Sequence, residues 1–109
     1  MTNQELFDRV AGHLLRQNEQ SLDEEGACCY RGAEGLMCAI GCLIPDDTYS
    51  YNLEHKACDH SAVIKAAGLV GSYQIELAKQ LQDLHDECPP ASWPKRLATL
   101  AKDHGLVFP

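Results

Sequence analysis

Six cysteines and five histidines are the side chains of this chain best suited to metal or nucleophilic chemistry. Structural zinc takes four sulfur or nitrogen ligands, commonly as pairs separated by roughly two to four residues. Cys38 and Cys42 meet that spacing, whereas Cys58-Asp59-His60 is too close and no second pair forms. A zinc-stabilised module would therefore need Cys38 and Cys42 with two of Cys28, Cys29, Cys58 and His60. The neighbourhood argues the other way. Cys38 and Cys42 lie within Leu36 to Ile44, the longest apolar run, and an unliganded cysteine behaves as a small buried hydrophobe. Buried free thiols and no cofactor are the favoured reading, with zinc as an alternative.

Nucleophilic catalysis is the second chemistry. A helix starting at Met37 would put Cys38 in its first turn, where free amides and the helix dipole lower a thiol pKa. His60 or His85 would have to be delivered as the base through the fold. No orienting signature surrounds Cys38, and Met37, Ala39 and Ile40 suggest burial. No catalytic residue is assigned, and the reading leans away from an enzyme. Gly32, Gly35 and Gly41 lack the Gly-Lys-Ser/Thr of a phosphate loop, and no His-Glu-x-x-His is present. The paired carboxylates Asp46/Asp47 and Asp83/Asp86 fall on exposed turns and faces.

Binding remains. Tyr, Trp and Arg are the residue types that concentrate interface energy. Tyr30, Arg31, Tyr49, Tyr51 and Trp93, with Asp46 and Asp47 beside them, form the candidate ligand or partner surface.

The elements that must position these residues read mainly as helix. Thr2-Asn3-Gln4-Glu5 fits a capping box. Leu6, Phe7, Val10, Ala11, Leu14 and Leu15 then repeat at helical spacing, predicting a first helix over 3–18 with His13 at its boundary. Cys28 to Met37 predicts a small β-hairpin turning at Gly32-Ala33-Glu34-Gly35. Met37 to Ile44 suits a buried strand or a short helix. Helix is preferred, because Ala39, Gly41 and Cys42 permit close backbone packing and Pro45 ends the run. Asp46 and Asp47 suit the start of another short helix.

Ser61 or Asp59 can cap a helix over 62–67 closed by Gly68. Ser72 can cap a longer one whose inner stripe is Ile75, Ala78, Leu81, Leu84, His85 and Cys88, with Gln82 and Asp86 facing out. Pro89-Pro90 ends it, and Ser92 opens a last helix through Leu97, Leu100 and Ala101. The tail Val107-Phe108-Pro109 packs or frays. The fold class expected is mainly α, α+β at most: one domain over residues 1–109, with four to five helices and one small hairpin.

A net charge of −7 opposes direct nucleic-acid binding, which needs cations against phosphate, and Lys95, Arg96 and Lys102 make too small a patch to change that. No stretch of ~18 apolar residues predicts a membrane span. The polar, acidic N-terminus lacks the features of a signal peptide, so the chain reads as cytoplasmic. Cysteines in that compartment are not a disulfide framework.

Two blocks carry a likeness. They are Cys29-Tyr-Arg-Gly-Ala-Glu-Gly-Leu-Met-Cys-Ala-Ile-Gly-Cys-Leu-Ile-Pro-Asp-Asp-Thr-Tyr49 and Leu81-Gln-Asp-Leu-His-Asp-Glu-Cys-Pro-Pro-Ala-Ser-Trp-Pro-Lys-Arg-Leu97. With the first helix they resemble a group of small uncharacterised proteins of phages, prophages and bacterial genomes. A more distant likeness is to small actinobacterial proteins with a Trp-Cys-Ala-x-Gly-Ala-Leu core. The resemblance implies a mobile-element setting and assigns no site residues. Small acidic proteins from that setting often bind a host protein stoichiometrically, for example to inhibit a defence system. The function expected is a small acidic binding module, a phage-type inhibitor or modulator of a host protein. The alternatives are a sponge for a small signalling nucleotide clamped by Arg31 and tyrosines, the zinc module, and a Cys38 enzyme.

Overall fold

The first helix begins where its capping box begins. In the computed structural model, which describes residues 1–108, α1 spans Asn3–Gln17. Thr2 Oγ1 accepts from the Glu5 amide at 3.1 Å, and Glu5 Oε1 accepts from the Thr2 amide at 2.8 Å. Those reciprocal bonds satisfy two amides that no helical turn can reach. Asn18 ends α1 in the left-handed conformation, φ 52°. Thr2→Ala is expected to cost about 1 kcal/mol, lowering Tm by roughly 4–8 °C. A calorimetric Tm equal to the parent's would count against the cap.

Three further helices follow: α2 at Ser61–Ala67, α3 at Gly71–Glu87 and α4 at Trp93–Asp103. α1 packs on α3, on α4 and on the single-turn 3₁₀ segment Gly41–Leu43. The buried stripe Leu6, Phe7, Val10, Ala11 and Leu14 of α1 meets Leu77, Ala78 and Leu81 of α3 and Leu97 and Ala101 of α4 in one cluster. Cys38, Ala39, Ile40, Leu43 and Ile44 belong to the same cluster, so the Cys-rich stretch is the packing centre of the fold. Phe108 reaches back to stand edge-on to Phe7, centroids 5.7 Å apart. Pro109, the last residue of the expected tail, lies outside the described residues.

The region predicted as a hairpin shows its reversal without a strand ladder. Among the described residues there is no strand ladder, only an isolated antiparallel bridge pairing Leu22 with Cys28 across the acidic turn at Asp23. The Gly32 reversal does form, closed by Gly32 N–H to Leu36 O at 2.7 Å, with Gly35 at φ 81°. No ladder extends from it, because side chains take the backbone groups a ladder would use. Glu54 accepts from the Tyr30 and Arg31 amides. Gln17 pairs with both the N–H and the C=O of Met37.

Met37 to Ile44 is reduced to one tight turn. Cys42 N–H reaches Cys38 O at 3.2 Å, and Leu43 and Ile44 make shorter-range turns. The Ile40 amide leaves the run altogether and donates to Gln82 Oε1 at 3.0 Å. Pro45 to Tyr49 is likewise a turn, with both Thr48 and Tyr49 amides on Pro45 O, rather than a helix opened by Asp46 and Asp47. On α3 the stripe is rotated from the expected one: Gln74 and Gln82 are buried, while Ile75 and Cys88 are half-buried. Val70, not Ser72, stands at its N-cap, and Gln74 Oε1 accepts the Val70 amide at 3.0 Å.

Candidate functional site

A buried carboxylate organises the region where most of the candidate binding residues meet. Glu54 follows the 3₁₀ turn Tyr51–Leu53 and is only 9% exposed. Its Oε1 accepts the Tyr30 amide at 3.1 Å, and its Oε2 accepts the Arg31 amide at 3.0 Å and the Tyr49 hydroxyl at 2.6 Å. Three donors satisfy a charge that would otherwise be expensive to bury. In sequence, Glu54 is one polar residue in an irregular stretch; nothing local marks it.

Arg31 is spent on the protein itself. Its guanidinium donates to Gly41 O at 2.6 Å and Ile44 O at 2.7 Å, pairs with Asp46 Oδ1 at 3.0 Å, and lies 4.9 Å over the Tyr49 ring. It ties the 30–31 segment to the turn at 41–46, a role different from a free clamp on a nucleotide phosphate. Tyr30 is buried, with its hydroxyl on Lys56 O. Trp93 is also buried: its indole N–H donates to Cys88 O at 3.0 Å and its ring stacks on His85. Trp93 is therefore core and takes no part in the surface expected of it. Asp47 is exposed on the turn after Pro45.

What remains together is a cleft of about 330 Å³. Arg31, Tyr49 and Tyr51 line it as the sequence grouped them, and Tyr51 is 74% exposed. Facing them stand Asp23, Glu24 and Glu25 of the acidic turn, with Cys29, Glu54 and His55. The cleft thus gathers four carboxylates and one guanidinium, which is already ion-paired. The turn is pre-shaped: Asp23 Oδ1 accepts the Glu25 amide at 2.8 Å and the Ala27 amide at 2.9 Å. Those amides, the Ala27 one foremost, hold the Asp23 carboxyl below its usual range. An acidic, aromatic-edged cleft attracts cations and repels phosphates.

The candidate nucleophile, bases and metal ligands do not gather at one site among the described residues. Cys38 is fully buried with Sγ at 3.3 Å from the Gly41 amide. His85 is fully buried too, but both ring nitrogens are used: Nε2 accepts the Ser21 amide at 2.9 Å, and Nδ1 donates to Asp86 at 2.7 Å. His60 sits at the surface, where Nδ1 accepts the Ala62 amide and caps α2. Cys42 donates to Ala39 O, and Cys28 accepts from Gln82 Nε2 at 3.0 Å. Cys29 lines the acidic cleft, and Cys58 lines a different hollow. Among the described residues, no group of three or more His, Cys, Asp or Glu side chains is disposed to hold a metal ion. Among the described residues no helix is long and apolar enough to cross a membrane.

Two thiols and two phenols around the packing centre, Cys28, Cys42, Tyr30 and Tyr49, share one electrostatic character. Burial pushes the Cys42 thiol up to about 12. Burial, with the hydrogen bond to Glu54, pushes the Tyr49 hydroxyl up to about 12. Cys28 is raised by its hydrogen bond to the Cys38 thiol and by burial, and Tyr30 chiefly by burial. Unfolded thiols and phenols ionise near 8.5 and 10, roughly. Above about pH 8.5 the unfolded chain therefore binds fewer protons than the folded one, and stability falls as pH rises. A Tm drop of at least about 5 °C between pH 8 and pH 10.5 is expected. A flat Tm over that range would contradict it.

No protein-family model matches the chain, and no curated protein or solved structure matches it either.

Proposed function

We propose that the protein is a small stoichiometric binding module that takes a basic segment of a partner protein into the Asp23–Glu25/Tyr51 cleft, in the manner of a phage-type modulator of a host factor. The observation that carries this reading is the convergence of four carboxylates and an exposed tyrosine on one cleft whose guanidinium is already tied. Lys and Arg side chains complement such a surface in two ways: charge steers the encounter and the phenol faces receive the cation. Glu24 and Glu25 are exposed and make no contribution to the core, so they can be altered without disturbing the fold.

The test is affinity capture from host lysate with tagged parent protein and a Glu24→Lys/Glu25→Lys variant of unchanged Tm. A saturable partner should be retained by the parent, weakened by salt, and lost on charge reversal. Tyr51→Ala should weaken the same complex by about 2 kcal/mol, roughly thirtyfold. Capture of the same proteins by parent and variant, or of none by the parent, sinks the reading.

A further inference from the structure

α1 carries a second polar feature, on residues the acidic cleft does not use. Arg9, His13 and Arg16 stand at i, i+4 and i+7, one above another on a single helical face. With Met37 and Cys42 they line a separate hollow of about 240 Å³, which has no carboxylate among its lining residues. In a chain of net charge −7 this is a local reversal of sign.

Neither guanidinium belongs to an ion pair among the described residues. The contact made by Arg9 is a weak one to Met1 Sδ at 3.7 Å. Both groups stay charged at any physiological pH, so two cations line one hollow with most of their donors uncommitted. The wall behind them is already built. Met37 O accepts from Gln17 Nε2 at 2.8 Å and from His13 Nε2–H at 2.9 Å, while Met37 N–H donates to Gln17 Oε1 at 2.9 Å.

Gly12 adds an independent observation. A glycine in mid-helix weakens the helix, yet here its bare Cα gives room for the Arg16 guanidinium to lie back along α1. A Cβ at position 12 would come within 2.9 Å of Arg16 Nη1. The Cys42 thiol, raised by burial, adds no negative charge to the hollow.

The geometry points to a binding site for a small tetrahedral dianion, inorganic phosphate or the terminal phosphoryl group of a small monoester, held between Arg9 and Arg16. Guanidinium forks match phosphate oxygens two at a time, and two forks suit a dianion better than a single carboxylate. The proposal is independent of the acidic cleft, which shares no lining residue with this hollow.

The test is a titration of the arginine Nε–Hε resonances at pH 7 with sodium phosphate, then with adenosine 5′-monophosphate, sodium chloride holding ionic strength constant. Arg9 and Arg16 should shift saturably while Arg31 and Arg96 stay still. The Arg9→Gln/Arg16→Gln variant keeps good helix formers on an exposed face, and should bind at least about tenfold more weakly. Tighter binding of the nucleotide than of phosphate supports a monoester ligand; equal or weaker binding supports free phosphate. Unsaturable shifts across all four arginines, or undiminished affinity in the variant, overturn the site. The parent spectra decide which arginines respond even if the variant folds poorly.

Discussion

Gly41→Ala is expected to destabilise the protein by about 3 kcal/mol or more, a change of one methyl group. An ideal Cβ at position 41 would lie 2.2 Å from Tyr30 O, 2.9 Å from Tyr30 C and 3.0 Å from Tyr30 Cα. These are backbone atoms, so no rotamer change relieves the clash. Nor can the Tyr30 backbone readily retreat. Its amide is bonded to Glu54, its ring is buried, and its hydroxyl is bonded to Lys56 O. The next residue, Arg31, grips Gly41 O itself at 2.6 Å. Separating the two segments would break that bond and open the cluster around Cys38 and Ile40. Small domains are stable by only about 5–15 kcal/mol in total, so the loss should be plain in a urea denaturation midpoint. A midpoint equal to the parent's would show that the Tyr30 carbonyl can move aside, and the tight crossing would not be a determinant of the fold.

The second large effect is expected at Glu54. Removing the carboxylate in Glu54→Ala strands the Tyr30 and Arg31 amides and the Tyr49 hydroxyl together, a loss of about 3 kcal/mol. Glu54→Gln should lie between parent and alanine variant. Its amide keeps one acceptor oxygen but turns an NH₂ group towards a site that offers only donors from the backbone. Stability is one readout, and Tyr49 supplies another. Part of what pushes its hydroxyl up to about 12 is the bond to Glu54 and the carboxylate charge. In either variant its ionisation should therefore move down, as followed by phenolate absorbance. Unchanged unfolding and an unmoved tyrosine titration would together refute the anchoring role of Glu54.

Both positions show which parts of the molecule local sequence can announce. The capping box at Thr2 and Glu5 and the helical stripe of α1 are readable because partners three or four residues apart meet in any helix. The smallness of Ala39, Gly41 and Cys42 is readable as close packing, though not what would pack there. Tyr30, Arg31 and Trp93 share an interface-like composition, and only Arg31 of the three lines the cleft. Composition cannot tell an amphipathic ring at a surface from one whose polar atom has found a carbonyl inside.

Gln82 and Glu54 were hidden for the same reason. Gln82 reads as outward-facing on α3, yet it is buried against the Ile40 amide, Cys28 and Asp86. Two of those partners, Ile40 and Cys28, lie more than forty residues away in the chain, beyond the reach of any periodicity. Over the predicted hairpin no ladder is seen among the described residues, and long-range side chains take the amides of Tyr30, Arg31 and Met37.

The chain by itself determined the mainly helical class, the ends of α1 and the acidic balance, since these follow from neighbours, periodicity and summed charge. It also placed Cys38 and Cys42 in an apolar run, and the fold made that run its packing centre. Tertiary structure alone decided what those charges face: Glu54, Tyr49 and Tyr51 across from the acidic turn at one cleft, Met37 and Cys42 beside Arg9 and Arg16 at another hollow. A formal charge is a sum over the whole chain, whereas a ligand meets the local field, and that field depends on which distant segments the buried hydrogen bonds bring together.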